Sequence, residues 1–270
     1  MKTAARQEIS SPQNPLLRAL RRALRDGEPG ADGAFGVEGP HLVEEALRSR
    51  VEVTALVAAR SAEARLTEFE ARANGRLKSY LVPDRVFRAL AQTETPQGIA
   101  ALVRLPERRL EDCLAKPKAL VAVLVGLQDP GNLGTILRSL EAFGGAACLL
   151  AENTVSPFNP KAARASAGSL FRVPVFRRLQ LDEILRLCRQ RSLRTVALAP
   201  RGGKGLSQVD LRGAVALFIG QEGGGLPAEL LKQVEVVAEI PLAAPVESLN
   251  AAMAATLALY EAARQRSLAG

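Results

Sequence analysis

Apolar residues return along this chain in two rhythms. In "NPLLRALRRALR", which begins at Asn14, they recur every three or four positions, the period of an amphipathic helix. "GAFGVEG" has the look of a short strand and runs into a second helical stretch, "PHLVEEALRSR". The pattern then continues with "EVTALVAA" as strand, "SAEARLTEFEARAN" as helix, "LKSYLVP" as strand, "DRVFRALAQ" as helix and "GIAALVRL" as strand. This alternation predicts a small α/β domain over residues 1–105. "LPERRLEDCLAKPK" is polar and holds Pro106 and Pro117, so residues 106–118 are expected to be a linker.

From Ala119 the alternation restarts with stronger strands. "ALVAVLVGL" is continuously apolar, as expected of a parallel strand buried on both faces. "NLGTILRSLEAFGG" predicts a helix capped by Asn132 and stopped by Gly144-Gly145. Strand "AACLLA", helix "PKAARASAGS", strand "VPVF", helix "LDEILRLCRQ" and strand "RTVALAP" follow, then the loop "RGGKGLSQ". Strand "AVALFIG", the loop "QEGGGLP", a helix from Ala228, strand "VEVVAEIP" and a last alanine-rich helix complete the chain. Residues 119–270 therefore read as a doubly wound α/β domain with a parallel sheet. Ser248, just ahead of the last helix, is the expected N-cap.

Composition narrows the class. A hydrophobic content of 47% permits a proper core, and 24% charged residues are ordinary for a globular protein. No apolar run approaches the ~20 residues of a membrane-spanning helix, so no membrane association is expected. The start, "MKTAARQEISSPQNPLL", lacks the apolar core of a signal peptide, and a cytoplasmic location is expected. Cys113, Cys148 and Cys188 are widely spaced and His41 is the single histidine, which argues against a disulfide framework and against a metal site. His41 itself reads as a capping or surface residue.

The charge is the more telling property. The chain carries 29 Arg and 7 Lys for a net +8 and a pI near 9.9. Arginine suits bidentate phosphate binding and stacking on bases, and a basic protein of this size is a candidate for nucleic-acid binding. Lys2, Arg6, Arg18, Arg21, Arg22 and Arg25 face one acidic residue, Glu8, at the N-terminal end. That stretch predicts a basic helix suited to a phosphate backbone.

Three strand ends carry polar or glycine clusters: "GLQDPGNLGTILRSLEAFG", "LFIGQEGGGLP" and "IPLAAPVESLNAAMAATLALYEAARQ". Ligands in open parallel sheets bind outside the carboxyl ends of the strands, so these three loops would build one pocket from distant pieces. Neither the dinucleotide fingerprint nor the P-loop is present, which disfavours a standard dinucleotide or ATP site. Three glycines after Glu222 allow either a flexible turn or close backbone approach to a ligand. Arg138 flanks the apolar stripe Leu133, Ile136, Leu137, Leu140 and Phe143, where a solvated side chain is the plain alternative.

In chain order, "NLGTILRSLEAFG", "LFIGQEGGGLP" and "IPLAAPVESLNAAMAA" resemble the three motifs of the SpoU-type (TrmH-like) RNA 2′-O-ribose methyltransferases, within the SPOUT superfamily. "NPKAARASAGSLFRVPV" resembles the stretch between the first two motifs, and "SPQNPLLRALRRAL" and "FGVEGPHLVEEAL" look like the small substrate-binding domain of the rRNA members, which resembles the ribosomal proteins that bind RNA kink-turns. The resemblance implies S-adenosyl-L-methionine as cofactor, against backbone of Gly220, Ile240 and Leu249. It implies Asn132, Arg138, Glu222, Ser248 and Asn250 as the catalytic set. It also implies a trefoil knot in the C-terminal domain and a homodimer formed through it, with the active site completed at the interface. Gln221, where Asn is common, and Ala251-Ala252, where a bulkier pair is usual, are departures that leave those positions untouched.

The expected reaction is methylation of a ribose 2′-hydroxyl in structured RNA, with rRNA favoured over tRNA because of the front domain. A guanidinium stays protonated, so Arg138 is expected to hold a substrate phosphate and stabilise developing charge rather than act as base. Glu222 is expected to orient Arg138 or Asn132. A tRNA 2′-O-methyltransferase, a base methyltransferase, another nucleotide-dependent enzyme and a non-catalytic RNA-binding protein of the same fold are the rival readings.

Overall fold

A computed structural model describes residues 6–73 and 77–267. Lys2 and Asn74, which the basic terminus and the third helix were expected to include, lie outside the described residues. The chain packs as two compact units, residues 1–107 with 156–171, and residues 108–155 with 172–270.

The N-terminal unit is a mixed five-stranded sheet with helices between its strands. Strand β1 (Gln7–Glu8), helix α1 (Pro15–Asp26), β2 (Phe35–Glu38), α2 (Pro40–Arg48), β3 (Glu52–Ala59), α3 (Glu63–Arg72), β4 (Ser79–Val82), α4 (Asp84–Arg88) and β5 (Ile99–Arg104) follow in order. The sheet order is β1-β4-β3-β5-β2, with β5 antiparallel to both neighbours. Helix α1 starts where Asn14 Oδ1 accepts from Leu16 N at 2.9 Å, with Pro15 in the first turn, and ends on Gly27 at φ +62°. Its two faces separate cleanly. Leu17, Leu20, Ala23 and Leu24 enter the core with Val57, Phe87 and Ala100, while Arg18, Arg21, Arg22 and Arg25 stay exposed.

The C-terminal unit contains α5 (Leu110–Leu114), β6 (Leu120–Leu124), α6 (Pro130–Ala142), β7 (Ala147–Ala151), β8 (Val175–Leu179), α8 (Leu181–Gln190), β9 (Arg194–Leu198), β10 (Lys204–Gly205), β11 (Val215–Ile219), α9 (Ala228–Leu231), β12 (Val236–Glu239) and α10 (Ala251–Ser267). Helix α7 (Pro160–Ala165) belongs to the N-terminal unit. All seven strands run parallel in the order β10-β12-β9-β11-β6-β7-β8. Alternate residues of β6, Val121 and Val123, pack in one core with Cys113 of α5, Leu185 of α8 and Leu230 of α9. The other alternates, Leu120, Ala122 and Leu124, are fully buried too, and α6 and α10 pack against strands of this sheet. Burial on both faces is what the unbroken apolar run required.

Three expectations change. Residues 106–118 hold helix α5, because Leu110, Cys113 and Leu114 at helical spacing pack on the second core. The loop "RGGKGLSQ" contains the edge strand β10. The segment Ser156–Phe171, expected within the C-terminal domain, packs instead with the N-terminal unit. There the Phe158 ring lies 4.6 Å from that of Phe35, and Ser156 Oγ donates to Gly27 O at 2.8 Å.

Candidate functional site

The first polar strand end begins differently from its sequence reading. Asp129, not Asn132, caps α6: its Oδ1 accepts from Asn132 N at 2.9 Å, and Pro130 occupies the first turn. Proline favours the first helical position, so Pro130 was the signal that the cap had to be the residue before it. The correction matters for chemistry. With its backbone N–H already satisfied by Asp129, Asn132 keeps its side-chain amide for other partners.

That amide meets the second motif. Asn132 Nδ2 donates to Glu222 Oε1. Glu222 sits on the loop after β11, a strand buried along its whole length, and that loop is folded back on itself. Gln221 and Gly225 pair as an isolated bridge, with Gly223 at φ +81° and Gly225 at φ +63°. The fold-back also makes Gly220 indispensable, since a Cβ there would lie 2.2 Å from the carbonyl carbon of Gly225. The glycines after Glu222 thus shape a tight turn rather than a loose one.

The third motif closes the triangle. Asn250 Nδ2 donates to Asn132 Oδ1 at 3.1 Å and to Glu222 Oε1 at 3.2 Å. Its own Oδ1 accepts from Ala252 N at 3.0 Å and Met253 N at 3.3 Å, so Asn250 is the N-cap of α10. Ser248 is therefore not the cap. It lies exposed on the wall of a cavity of about 320 Å³. The ends of β9, β11 and β12 and the start of α10 line this cavity, which includes Gly220, Glu222, Ile240, Leu249 and Asn250. Leu198 and Leu242 add apolar wall that the motifs did not single out.

Arg138 stands apart. It is exposed on α6, makes no hydrogen bond or ion pair with the described residues, and does not line the cavity. Helical geometry explains the separation: six residues from Asn132 turn it by roughly a third of a circle and carry it about 9 Å along the axis. Glu222 accordingly holds Asn132 and Asn250 rather than Arg138.

The thiols offer no rival chemistry. All three cysteines are buried, and burial pushes Cys188 up to about 11 and Cys148 higher still.

With this geometry in place, likeness to known proteins is decisive. The sequence pattern of the "SpoU rRNA Methylase family" matches residues 119–260. That of "RNA 2'-O ribose methyltransferase substrate binding" matches residues 37–109. The chain belongs to the SpoU rRNA methylase family. One relative in Bacillus subtilis (strain 168), named 23S rRNA (guanosine(2553)-2'-O)-methyltransferase RlmP, is 31% identical over 94% of this chain and 98% of its own. An AdoMet-bound rRNA methyltransferase from Sinorhizobium meliloti has a TM-score of 0.84 at 28% identity, covering 96% of this chain and 98% of its own. A structure described as giving insight into 2-OH methylation of C/U34 on tRNA reaches 0.51 at 30% identity. It covers 97% of its own chain but 55% of this one. As a SpoU methylase the chain thus combines a methylase part and a substrate-binding part, and the triangle of Asn132, Glu222 and Asn250 lies within the methylase part.

Proposed function

We propose that the protein transfers a methyl group from S-adenosyl-L-methionine to a ribose 2′-hydroxyl of structured RNA, most simply rRNA, in the cytoplasm. One observation carries the reading: Asn132, Glu222 and Asn250, far apart in the chain, meet in one hydrogen-bonded cluster at the edge of a cavity walled by Gly220, Ile240 and Leu249. The cavity fits the cofactor. Its volume of about 320 Å³ lies in the range of roughly 300–1,000 Å³ for small-molecule sites. Its apolar side chains suit an adenine ring, and the folded-back loop at Gly220 brings backbone close. S-adenosylmethionine supplies an electrophilic methyl on a sulfonium when bound.

The chain's own residues supply position and charge. Glu222 orients the amides of Asn132 and Asn250, and Ser248 faces the ribose from the cavity wall. Arg138, exposed and without a partner among the described residues, grips a substrate phosphate and steadies negative charge developing on the 2′-oxygen. The hydroxyl proton passes to a substrate phosphate or water. Arg18 and Arg21 on α1, likewise without ion-pair partners among the described residues, extend the phosphate grip.

A homodimer completes the site. Met253, Leu257 and Tyr260 expose 63%, 44% and 51% of their surfaces at i, i+4, i+7 on α10, an apolar stripe suited to a second copy. Phe143, which caps the end of α6, packs edge-on against Tyr260, centroids 5.8 Å apart, so the helix bearing Arg138 adjoins that stripe. Arg138 of one protomer then serves the site of its partner. The C-terminal segment threads its loop as the trefoil knot of the superfamily, and the front domain takes RNA as kink-turn-binding ribosomal proteins do. rRNA is favoured over tRNA because the full-length likenesses carry the front domain and the tRNA-related structure matches 55% of the chain.

Mapping 2′-O-methyl sites across total RNA from a deletion strain and its parent tests the function. A vanished rRNA site is expected. An unchanged map would sink the reading, and a vanished tRNA site would move the substrate.

A further inference from the structure

Resting on the methyltransferase reading, we propose that the cleft on the far side of the Glu222 loop is the pocket that reads the base of the target nucleotide, and that it selects guanine through its N–H donor edge. The cleft measures about 650 Å³ and is built by the loops after β6, β7 and β8 and by the outer side of the loop after β11. It lies wholly within the C-terminal unit, at the carboxyl ends of parallel strands. Gln221 and Gly225 line both this cleft and the cofactor cavity. A nucleotide with its base here would have its ribose toward Gln221 and Gly225, at the border of the cofactor cavity.

The lining decides what enters. Among the described residues no Lys or Arg contributes to it, although the chain as a whole is +8. A phosphate would find no cation and would face the carboxylates of Glu152 and Asp182. Neither carboxylate makes a hydrogen bond or ion pair with the described residues, whereas the third, Glu229, is already paired with Lys232 at 2.8 Å. A bound metal is disfavoured as well: among the described residues no group of three His, Cys, Asp or Glu side chains is placed to share one.

Gln128 adds a fixed acceptor. Its Nε2 donates to Gly126 O at 3.0 Å and Asn153 O at 2.6 Å, which uses both N–H bonds and leaves its carbonyl oxygen open. The wall carrying it is braced. Thr154 Oγ1 accepts from Gly126 N at 3.2 Å and donates to Leu124 O at 3.1 Å, tying the loop after β7 to the end of β6. Leu179, Leu185 and Pro227 supply apolar surface for the flat faces of a ring.

The pocket thus offers acceptors and apolar contact and lacks positive charge. A nucleobase withdrawn from its stack is read by hydrogen bonds to its Watson–Crick edge and by contact with its faces. Guanine alone presents two adjacent donors there, N1–H and N2–H, matching the two oxygens of one carboxylate. Adenine and cytosine each place an acceptor beside their amino group, and uracil has a single N–H between two carbonyls. Both would set an acceptor against a carboxylate.

Nucleoside binding to the full-length protein tests this without any methyl transfer. Saturation-transfer NMR would compare guanosine, inosine (which lacks the 2-amino group) and adenosine, on the wild type and on the double variant Glu152→Gln/Asp182→Asn. Guanosine should bind at least about fivefold better than either analogue, as one good bidentate pair discriminates. The double variant should reduce that preference below twofold while keeping its melting temperature. A wild type with less than twofold preference, or a double variant that keeps the preference, overturns the proposal. Calorimetric titration with S-adenosylmethionine separates the two readings. Normal cofactor binding with a flat nucleoside series strikes the base pocket alone, and absent cofactor binding strikes the methyltransferase reading itself.

Discussion

Two cavities share the loop after β11 and differ in the polar groups they present. The cofactor side, about 320 Å³, is walled largely by apolar residues and by backbone that glycine lets close in. The other side, about 650 Å³, is wider and presents carboxylates and amides. A cofactor is one fixed molecule, which backbone and apolar walls can hold in one pose. A target nucleotide must be chosen among similar ones, and side-chain donors and acceptors make that choice. Gln221 and Gly225 line both, and Glu222 between them lines the smaller, where a methyl donor and a methyl acceptor would meet.

The sharpest way to break this division is to alter Glu222 itself. Glu222→Gln keeps the shape but removes the charge that accepts from Asn132 and Asn250. A hydrogen bond to a charged group is worth about 1.5–3 kcal/mol, so turnover should fall roughly 10- to 100-fold. Glu222 lines the cofactor cavity, but its hydrogen bonds run to Asn132 and Asn250, so cofactor affinity should change less than about twofold. Single-turnover methylation and calorimetry on the same preparation check both numbers, and a loss of cofactor binding equal to the loss of turnover would show that Glu222 belongs to the cofactor side.

Much of this arrangement was legible in the sequence, and the failures have physical causes. The strand–helix rhythm gave four of the five strands of one sheet and six of the seven of the other, where burial on both faces of β6 and β11 imposes unbroken apolar runs; β1 and β10, two residues each, left no pattern. Asn132, Glu222 and Asn250 were picked out together, and they do meet. The helix caps were assigned wrongly because Asp129 and Asn132, or Ser248 and Asn250, are all good caps, and only the register of the first turn separates them. The place of Ser156–Phe171 was invisible, since it depends on a ring contact between Phe158 and Phe35, far apart in the chain. Glu222 was expected to orient Arg138 or Asn132; it holds Asn132, and the distance of Arg138 from the cluster follows from helical phase, which motif spacing does not display. The acceptor-lined cleft was not read from the sequence, because its carboxylates Glu152 and Asp182 lie outside the three motifs and only the fold brings their loops beside the Glu222 loop.

The backbone-built side can be tested through its glycine. In Gly220→Ala the new Cβ would meet three backbone atoms of Gly225 and Leu226 within 2.6 Å, so the loop must move. Overpacking of this kind costs about 1–3 kcal/mol, and the cofactor wall moves with it. Affinity for S-adenosylmethionine should drop roughly 5- to 150-fold by calorimetry. Gly213→Ala, where nothing lies within 4 Å of the added Cβ, should leave both affinity and melting temperature in place. An intact cofactor affinity in Gly220→Ala would mean that close backbone approach is not what shapes this cavity.

The smallest effect separates the two tasks of Asn250, which caps α10 with its oxygen and bridges Asn132 and Glu222 with its nitrogen. Asn250→Ala removes both, and loss of the cap should lower stability by about 1 kcal/mol. Asn250→Asp keeps the cap, and a carboxylate at a helix N-terminus is favourable. It also replaces a donor by an acceptor facing the Glu222 carboxylate, so the bridge is lost and two like charges meet. Chemical denaturation should therefore show Asn250→Asp near the wild type and Asn250→Ala about 1 kcal/mol below it, while both turn over slowly. If activity instead followed stability, with Asn250→Asp as active as the wild type, Asn250 would be a helix cap and nothing more. The junction between the two cavities would then rest on Asn132 and Glu222 alone.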